Sequence, residues 1–212
     1  MNHKNIQVFE ELADAYDGWF DLHRYVYESE LLALKEVIPP RGKGLEIGVG
    51  SGRFAVPLGL RLGVEPAGAM ARMARNRGLN VLQSYAEELP FKEQAFDFVL
   101  LVTVLCFLAD PPAALKEATR VLKPQGHLII GMIDPDSPLG QYYEMNQERS
   151  KFYRQARFHP AGQVLEWLET LGYLNFETRQ TIFQDPKTLT APEPVDQGHG
   201  AGVFVVIAGQ KS

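Results

Sequence analysis

Three glycines at alternate positions, Gly48, Gly50 and Gly52, directly follow the run Gly44-Leu45-Glu46-Ile47. Glycine has no Cβ and tolerates positive φ, so alternate glycines let a ligand approach the backbone within a tight turn. The run before them reads as a buried strand, and Phe54, Val56 and Leu58 behind them suggest a short helix. A helix N-terminus offers free N–H groups and a positive dipole end, which suits a flat or anionic cofactor. Two carboxylates join this constellation. Glu46 lies at the approach to the loop, and Glu65 ends the next apolar run, where it can accept hydrogen bonds from both hydroxyls of a ribose.

The rest of the chain must hold these groups in place. Phe9, Leu12, Ala13, Tyr16 and Phe20 recur at helical spacing over 6–20, and a second helical stretch runs to the stop at Pro39-Pro40. Strands are expected at 60–65 and 79–83, with a helix over 66–78 that has Pro66 near its start and Gly78 at its end. Residues 96–102 are apolar on both faces, as a central parallel strand should be. Asp110 caps a helix entered by Pro111-Pro112, and a fifth strand covers 127–133. One or two helices carrying many aromatic and charged residues occupy 137–158, followed by a helix over 161–171. Strands at 173–183 and 201–208, joined by a polar loop without a helix, suggest a terminal antiparallel hairpin.

At 212 residues, with 45% hydrophobic and 22% charged residues, the chain suits one soluble α/β domain with a substantial core. The formal net charge of −5 argues against nucleic acid as partner, since that needs a basic stripe. No apolar run approaches the roughly 20 residues of a membrane span, and the N-terminus lacks a signal-peptide core. Cys106, the single cysteine, can form neither an internal disulfide nor a thiolate metal site; a reducing cytoplasm is expected.

In order along the chain, these motifs resemble the class I S-adenosylmethionine-dependent methyltransferases, particularly the branch of the ubiquinone and menaquinone biosynthesis enzymes (methyltransferase type 11). The family's acid-x-Gly-x-Gly-x-Gly loop is matched by Glu46, Gly48, Gly50 and Gly52, and its second-strand acid by Glu65, with Pro66 and Met70 behind it. Tyr85-Ala86-Glu87-Glu88-Leu89-Pro90-Phe91 matches the third-strand segment, Phe96-Asp97-Phe98-Val99 the start of the fourth strand, and residues 120–128 the approach to the fifth.

The resemblance implies a Rossmann-like, doubly wound, seven-stranded sheet in the order 3-2-1-4-5-7-6, mostly parallel with the C-terminal hairpin antiparallel. One domain is expected over 1–212, with a helical cap at 1–38 and a helical insert at 137–158 serving as substrate lid. The implied cofactor is S-adenosyl-L-methionine, leaving as S-adenosyl-L-homocysteine. Its site would comprise Glu46, Gly48, Val49, Gly50, Gly52, Glu65, Pro66, Met70, Tyr85, Ala86, Glu87 and Thr103. Glu46 would orient the cofactor's amino group, and Met70 is equally suited to the helix core. Tyr85 departs from the family, which usually has an acid there to accept from the adenine amino group.

Methyl transfer from a sulfonium needs alignment above all, and about 7–11 kcal/mol of the barrier is available from orientation alone. A base is needed only where the acceptor must lose a proton. The sequence has no triad or metal cluster; His159, which follows the aromatic insert, is the one weak candidate base. Acceptor contacts are expected from segments over the carboxyl ends of the strands: Tyr16, Trp19, Phe20, Phe107, Tyr142, Tyr143, Phe152, Tyr153 and Arg157. They suit a small, partly aromatic or amine- or carboxylate-bearing molecule.

Asp110-Pro111-Pro112-Ala113 resembles the Asp-Pro-Pro-Tyr signature of adenine methyltransferases, but Val102-Thr103-Val104 stands where that signature belongs. Two other readings compete. One is a protein that binds S-adenosylmethionine without catalysis. The other is a nicotinamide-dependent oxidoreductase, whose Gly-x-Gly-x-x-Gly fingerprint needs a small residue where Arg53 stands.

Overall fold

The computed structural model describes residues 3–212. Eight strands form one sheet in the order β3-β2-β1-β4-β5-β8-β6-β7. These are β1 (Gly44–Ile47), β2 (Leu62–Val64), β3 (Asn80–Leu82), β4 (Phe96–Val102), β5 (Leu122–Ile133), β6 (Tyr173–Thr181), β7 (Asp196–Gln197) and β8 (Phe204–Lys211). The first five are mutually parallel, with Glu46 beside Gly63 and Val99 beside Leu128. The last three are antiparallel, with Ile129 facing Ala208 and Thr178 facing Ile207. The expected order therefore stands, with one strand added: Asp196 and Gln197 pair with Gln180 and Arg179 at the sheet edge. Two polar residues cannot show the period-2 pattern by which a strand is recognised.

β4 shows why the sheet must be covered on both sides. Successive side chains on a strand point to opposite faces. Val99 and Leu101 pack with α5 (Pro111–Val121) and α7 (Ala161–Thr170), whereas Phe98, Leu100 and Val102 pack with α3 (Arg24–Val37) and α4 (Gly68–Asn76). Asp110 caps α5, its Oδ1 accepting from the Ala113 N–H at 3.0 Å. That structural task accounts for the Asp-Pro-Pro run.

Two elements differ from expectation. The helix anticipated behind the glycine loop is a run of hydrogen-bonded turns ending at Gly59, where Leu60 N–H reaches back to the Ala55 carbonyl. The first helical stretch is two helices, α1 (His3–Glu11) and α2 (Ala13–Leu22), broken at Leu12. Residues 137–158 form α6 (Pro138–Met145) and two single 3-10 turns. α1, α2 and the 3-10 segment meet over the carboxyl ends of the parallel strands, where Phe9, Ala13, Met70, Phe107, Ala156 and Phe158 form a separate apolar cluster.

Candidate functional site

β1 delivers the glycine loop and β2 delivers Glu65 beside it. Gly48 and Val49 donate their N–H groups to the Val64 carbonyl, at 2.8 and 3.0 Å, which pins the loop to the end of β2. Glu65 is buried, and its carboxyl spans two backbones: Oε2 accepts from Gly50 N–H and Oε1 from Ala67 N–H, both at 2.9 Å. Burial pushes its pKa up to about 7, against the lowering effect of those two bonds. Each oxygen keeps a second lone pair for a hydroxyl donor.

Glu46 sits behind the loop and is 1% exposed. Ala55 N–H bonds its carboxyl, while its Oε2 has no partner among the described residues. Burial drives the pKa of Glu46 well above the ordinary carboxylate range, and the neighbouring Glu65 adds to the effect. A buried acceptor without a donor is costly, and an arriving ammonium or N–H relieves it.

The glycines differ in what surrounds them. A Cβ on Gly50, at φ +53°, would meet nothing within 4 Å, whereas one on Gly52, at φ +87°, would stand 2.8 Å from Leu79 Cδ1. Gly52 serves packing. Gly50 leaves open space beside Glu65.

A network that the sequence did not suggest ties the cap to this loop. Asp17 on α2 accepts from Ser51 Oγ at 2.6 Å, from Arg53 Nε at 2.9 Å and from an Arg77 guanidinium nitrogen at 2.8 Å. Arg53 also pairs with Asp21, and Arg77 reaches the Ser51 carbonyl. Burial opposes ionisation of Asp17, but the Arg53, Arg77 and Ser51 bonds outweigh it and hold the carboxyl well below the usual carboxylate range. The available signal was the pair of acids at Asp17 and Asp21, one helical turn apart and matched by Arg53.

The remaining expected cofactor residues are not all brought together. Pro66, Tyr85 and Leu89 line an open cleft of about 520 Å³ with Gln83, Ser84, Glu88 and Pro90. Ala86 is buried, Glu87 is half-buried, and Tyr85 is exposed at its rim. Met70 lies in the apolar cluster with Phe9 and Phe107. Thr103, beyond β4, has φ +53° and hydrogen-bonds the Tyr16 hydroxyl.

Among the expected acceptor residues, Tyr16 is the hub. Its ring meets Phe9, Phe20 and Phe152 edge-on, each 5.3 Å between centroids. Tyr153 stacks on Phe107 at 5.6 Å, Trp19 packs edge-on to Phe20, and Tyr143 joins the same layer from α6. Tyr142 and Arg157 differ from these: both are exposed, and Arg157 contributes its backbone N–H to the Cys106 carbonyl. His159 is buried with its ring edge-on to Trp167 and Nδ1 3.1 Å from Gln163 Oε1. It faces a small cavity shared with Thr103, Cys106 and Met132, and burial lowers its pKa.

Fold and loop together define a Rossmann-like methyltransferase, and known proteins agree. Residues 45–130 match the family model for a methyltransferase domain. A Thermotoga maritima protein of known crystal structure, described as a SAM-dependent methyltransferase and possible histamine N-methyltransferase, is 48% identical. The match covers 97% of this chain and 99% of that one, with a TM-score of 0.95. The uncharacterised protein MJ1123 of Methanocaldococcus jannaschii is 46% identical over 97% of this chain and its own full length. The ubiquinone/menaquinone C-methyltransferase UbiE of Pasteurella multocida is 29% identical over 63% of this chain and 64% of its own. The chain belongs to the S-adenosylmethionine-dependent methyltransferases, and S-adenosylmethionine is its cofactor. Among the described residues, no helix is long and apolar enough to cross a membrane.

Proposed function

We propose that this protein is a cytoplasmic enzyme that methylates a small-molecule acceptor. The observation that carries this reading is the buried Glu65 carboxyl bonded to the Gly50 N–H, where Gly50 leaves open space beside it. Glu65 accepts the ribose hydroxyls through its remaining lone pairs, and Glu46 Oε2 receives the amino group. Gly48, Val49 and Gly52 shape the loop, and Gly50 lets the cofactor lie against the backbone. Pro66, Tyr85, Ala86 and Glu87 flank the adenine. Met70 supports that wall from the core, and Thr103 borders the reacting centre.

When bound, S-adenosylmethionine supplies an electrophilic methyl group and a neutral leaving group. The protein's own part is to align the acceptor and exclude water. Tyr16, Trp19, Phe20, Phe107, Tyr143, Phe152 and Tyr153 supply an apolar wall above the strand ends, carried by the helical cap and by residues 137–158, which act as the lid. Two observations disfavour the nicotinamide alternative: Arg53, at the position of that fingerprint's last glycine, is bound to Asp17, and the sheet closes with antiparallel strands. The description of the Thermotoga neighbour supports searching among small molecules for the acceptor.

The test is incubation of the protein with methyl-labelled S-adenosylmethionine and a panel of small amines, phenols and quinones. Label transfer to a panel member is expected. Cofactor binding without transfer to any of them would favour a binding protein.

A further inference from the structure

The glycine loop has little of its own to hold its shape. Gly48, Gly50 and Gly52 all lie at positive φ, and glycine loses more conformational freedom on folding than any other residue. Only Val49 and Ser51 carry side chains between them. Val49 ties the loop to the sheet, where a Cβ on Gly63 would stand 2.6 Å from the Val49 Cβ. Ser51, 2% exposed, ties it to the cap: its Oγ donates to Asp17 Oδ1 at 2.6 Å, and its carbonyl accepts from Arg77 at 2.7 Å. Just past the loop, Arg53 is gripped by Asp17 and Asp21, and its carbonyl takes the Tyr27 hydroxyl.

Asp17 has no capacity left for a ligand. Its Oδ1 accepts from Ser51 Oγ and Arg53 Nε, and its Oδ2 from a terminal nitrogen of Arg53 at 2.9 Å and of Arg77 at 2.8 Å. Four donors fill the roughly four lone-pair sites of a carboxylate. Glu65, by contrast, has one backbone donor on each oxygen. Any part that Asp17 plays at the cofactor site is therefore played through the loop. Tyr16, the residue before it on α2, is the hub of the aromatic layer and hydrogen-bonds Thr103. Adjacent residues of one helix thus hold the cofactor loop and the aromatic wall.

We propose that Asp17 is a positioning residue that holds the glycine loop in its binding shape, and that cofactor binding in turn fixes α2 and its aromatic wall. This rests on the reading of the cofactor site and the aromatic layer above. The two effects are one coupling free energy seen from either end. A cap that favours the binding shape of the loop is itself favoured when the loop is occupied, and such couplings amount to roughly five- to 150-fold in affinity. Charged, two-pronged hydrogen bonds suit this task because they fix orientation as well as distance. An acceptor then meets a finished wall only beside a bound methyl donor.

The test uses the full-length protein and its Asp17→Asn, Ser51→Ala and Asp21→Asn variants, each titrated with S-adenosylhomocysteine well below its melting temperature. Asp17→Asn and Ser51→Ala should bind roughly fivefold or more weakly than wild type. Asp21→Asn removes only an exposed partner of Arg53 and should bind as wild type does. Hydrogen exchange over residues 13–22 is a readout that a merely structural ion pair would not move. Saturating S-adenosylhomocysteine should slow exchange there in wild type, and the slowing should shrink in Asp17→Asn. Should Asp17→Asn fail to fold, Ser51→Ala, which gives up the Ser51 Oγ bond alone, decides both readouts. Wild-type affinity in Asp17→Asn or Ser51→Ala, an equal loss in Asp21→Asn, or unchanged exchange over 13–22 in saturated wild type would overturn the proposal while leaving the cofactor reading intact. Failure of wild type to bind S-adenosylhomocysteine would overturn both.

Discussion

Asp17 and Arg53 form a two-pronged ion pair between the cap and the glycine loop. Arg53 Nε lies 2.9 Å from Asp17 Oδ1 and a terminal guanidinium nitrogen 2.9 Å from Oδ2. Bidentate pairs of this kind fix geometry as well as supplying energy. The residue that breaks the dinucleotide fingerprint therefore anchors α2 over the loop.

Asp17→Asn should destabilise the protein by about 3 kcal/mol, because it leaves two guanidinium groups short of their anion. For a chain of this size that is roughly 6–12 °C in melting temperature. The pKa of Asp17 is depressed in the folded state, so its contribution is complete above the ordinary value of 3.8 and is lost as pH falls through the folded value. Melting curves should show wild type and variant converging in strong acid. Curves separated equally at every pH would contradict the assignment.

Gly50→Ala and Gly52→Ala should separate binding from folding. Gly50 has room for a methyl group, so its variant should fold with about 1 kcal/mol of backbone strain and lose at least tenfold in affinity for S-adenosylhomocysteine. Gly52→Ala forces Leu79 to move and should lower the melting temperature more. The paired measurements are thermal melts and calorimetric titrations of both variants.

Glu65 should give the unliganded protein a falling stability across the acid-to-neutral range. Its pKa rises on folding from 4.5 to about 7. Its contribution is therefore complete below 4.5 and lost as pH climbs through 7, on the order of 3 kcal/mol. A ligand whose hydroxyls donate to the carboxylate favours the ionised form. The melting shift caused by S-adenosylhomocysteine should consequently grow between pH 5.5 and 8, and in Glu65→Gln it should be flat.

The sheet was legible because its strands are short, apolar and punctuated. The apolar run 96–102 is β4 residue for residue, and the acid at the end of β2 meets the loop through the Gly50 N–H. Partners far apart in sequence were not legible. Asp17 and Arg53 are 36 residues apart, and no local pattern tells an acid destined for a guanidinium from one bathed in water. Glu30 was equally hidden: within α3 it reads as a polar position of an amphipathic helix, yet in the fold it is buried. Tyr142 and Tyr143 make the same point, because neighbouring residues on a helix point in different directions, and only Tyr143 reaches the aromatic layer.

Calorimetric titration of wild type and Glu65→Ala with S-adenosylhomocysteine, and of wild type with NAD, tests the central claim most directly. Charged hydrogen bonds to a ribose are worth about 1.5–3 kcal/mol. Wild type should bind S-adenosylhomocysteine, Glu65→Ala should bind it roughly ten- to a hundredfold more weakly, and NAD should not bind. Binding of NAD in place of the sulfur compound, or equal binding by wild type and Glu65→Ala, would contradict the account.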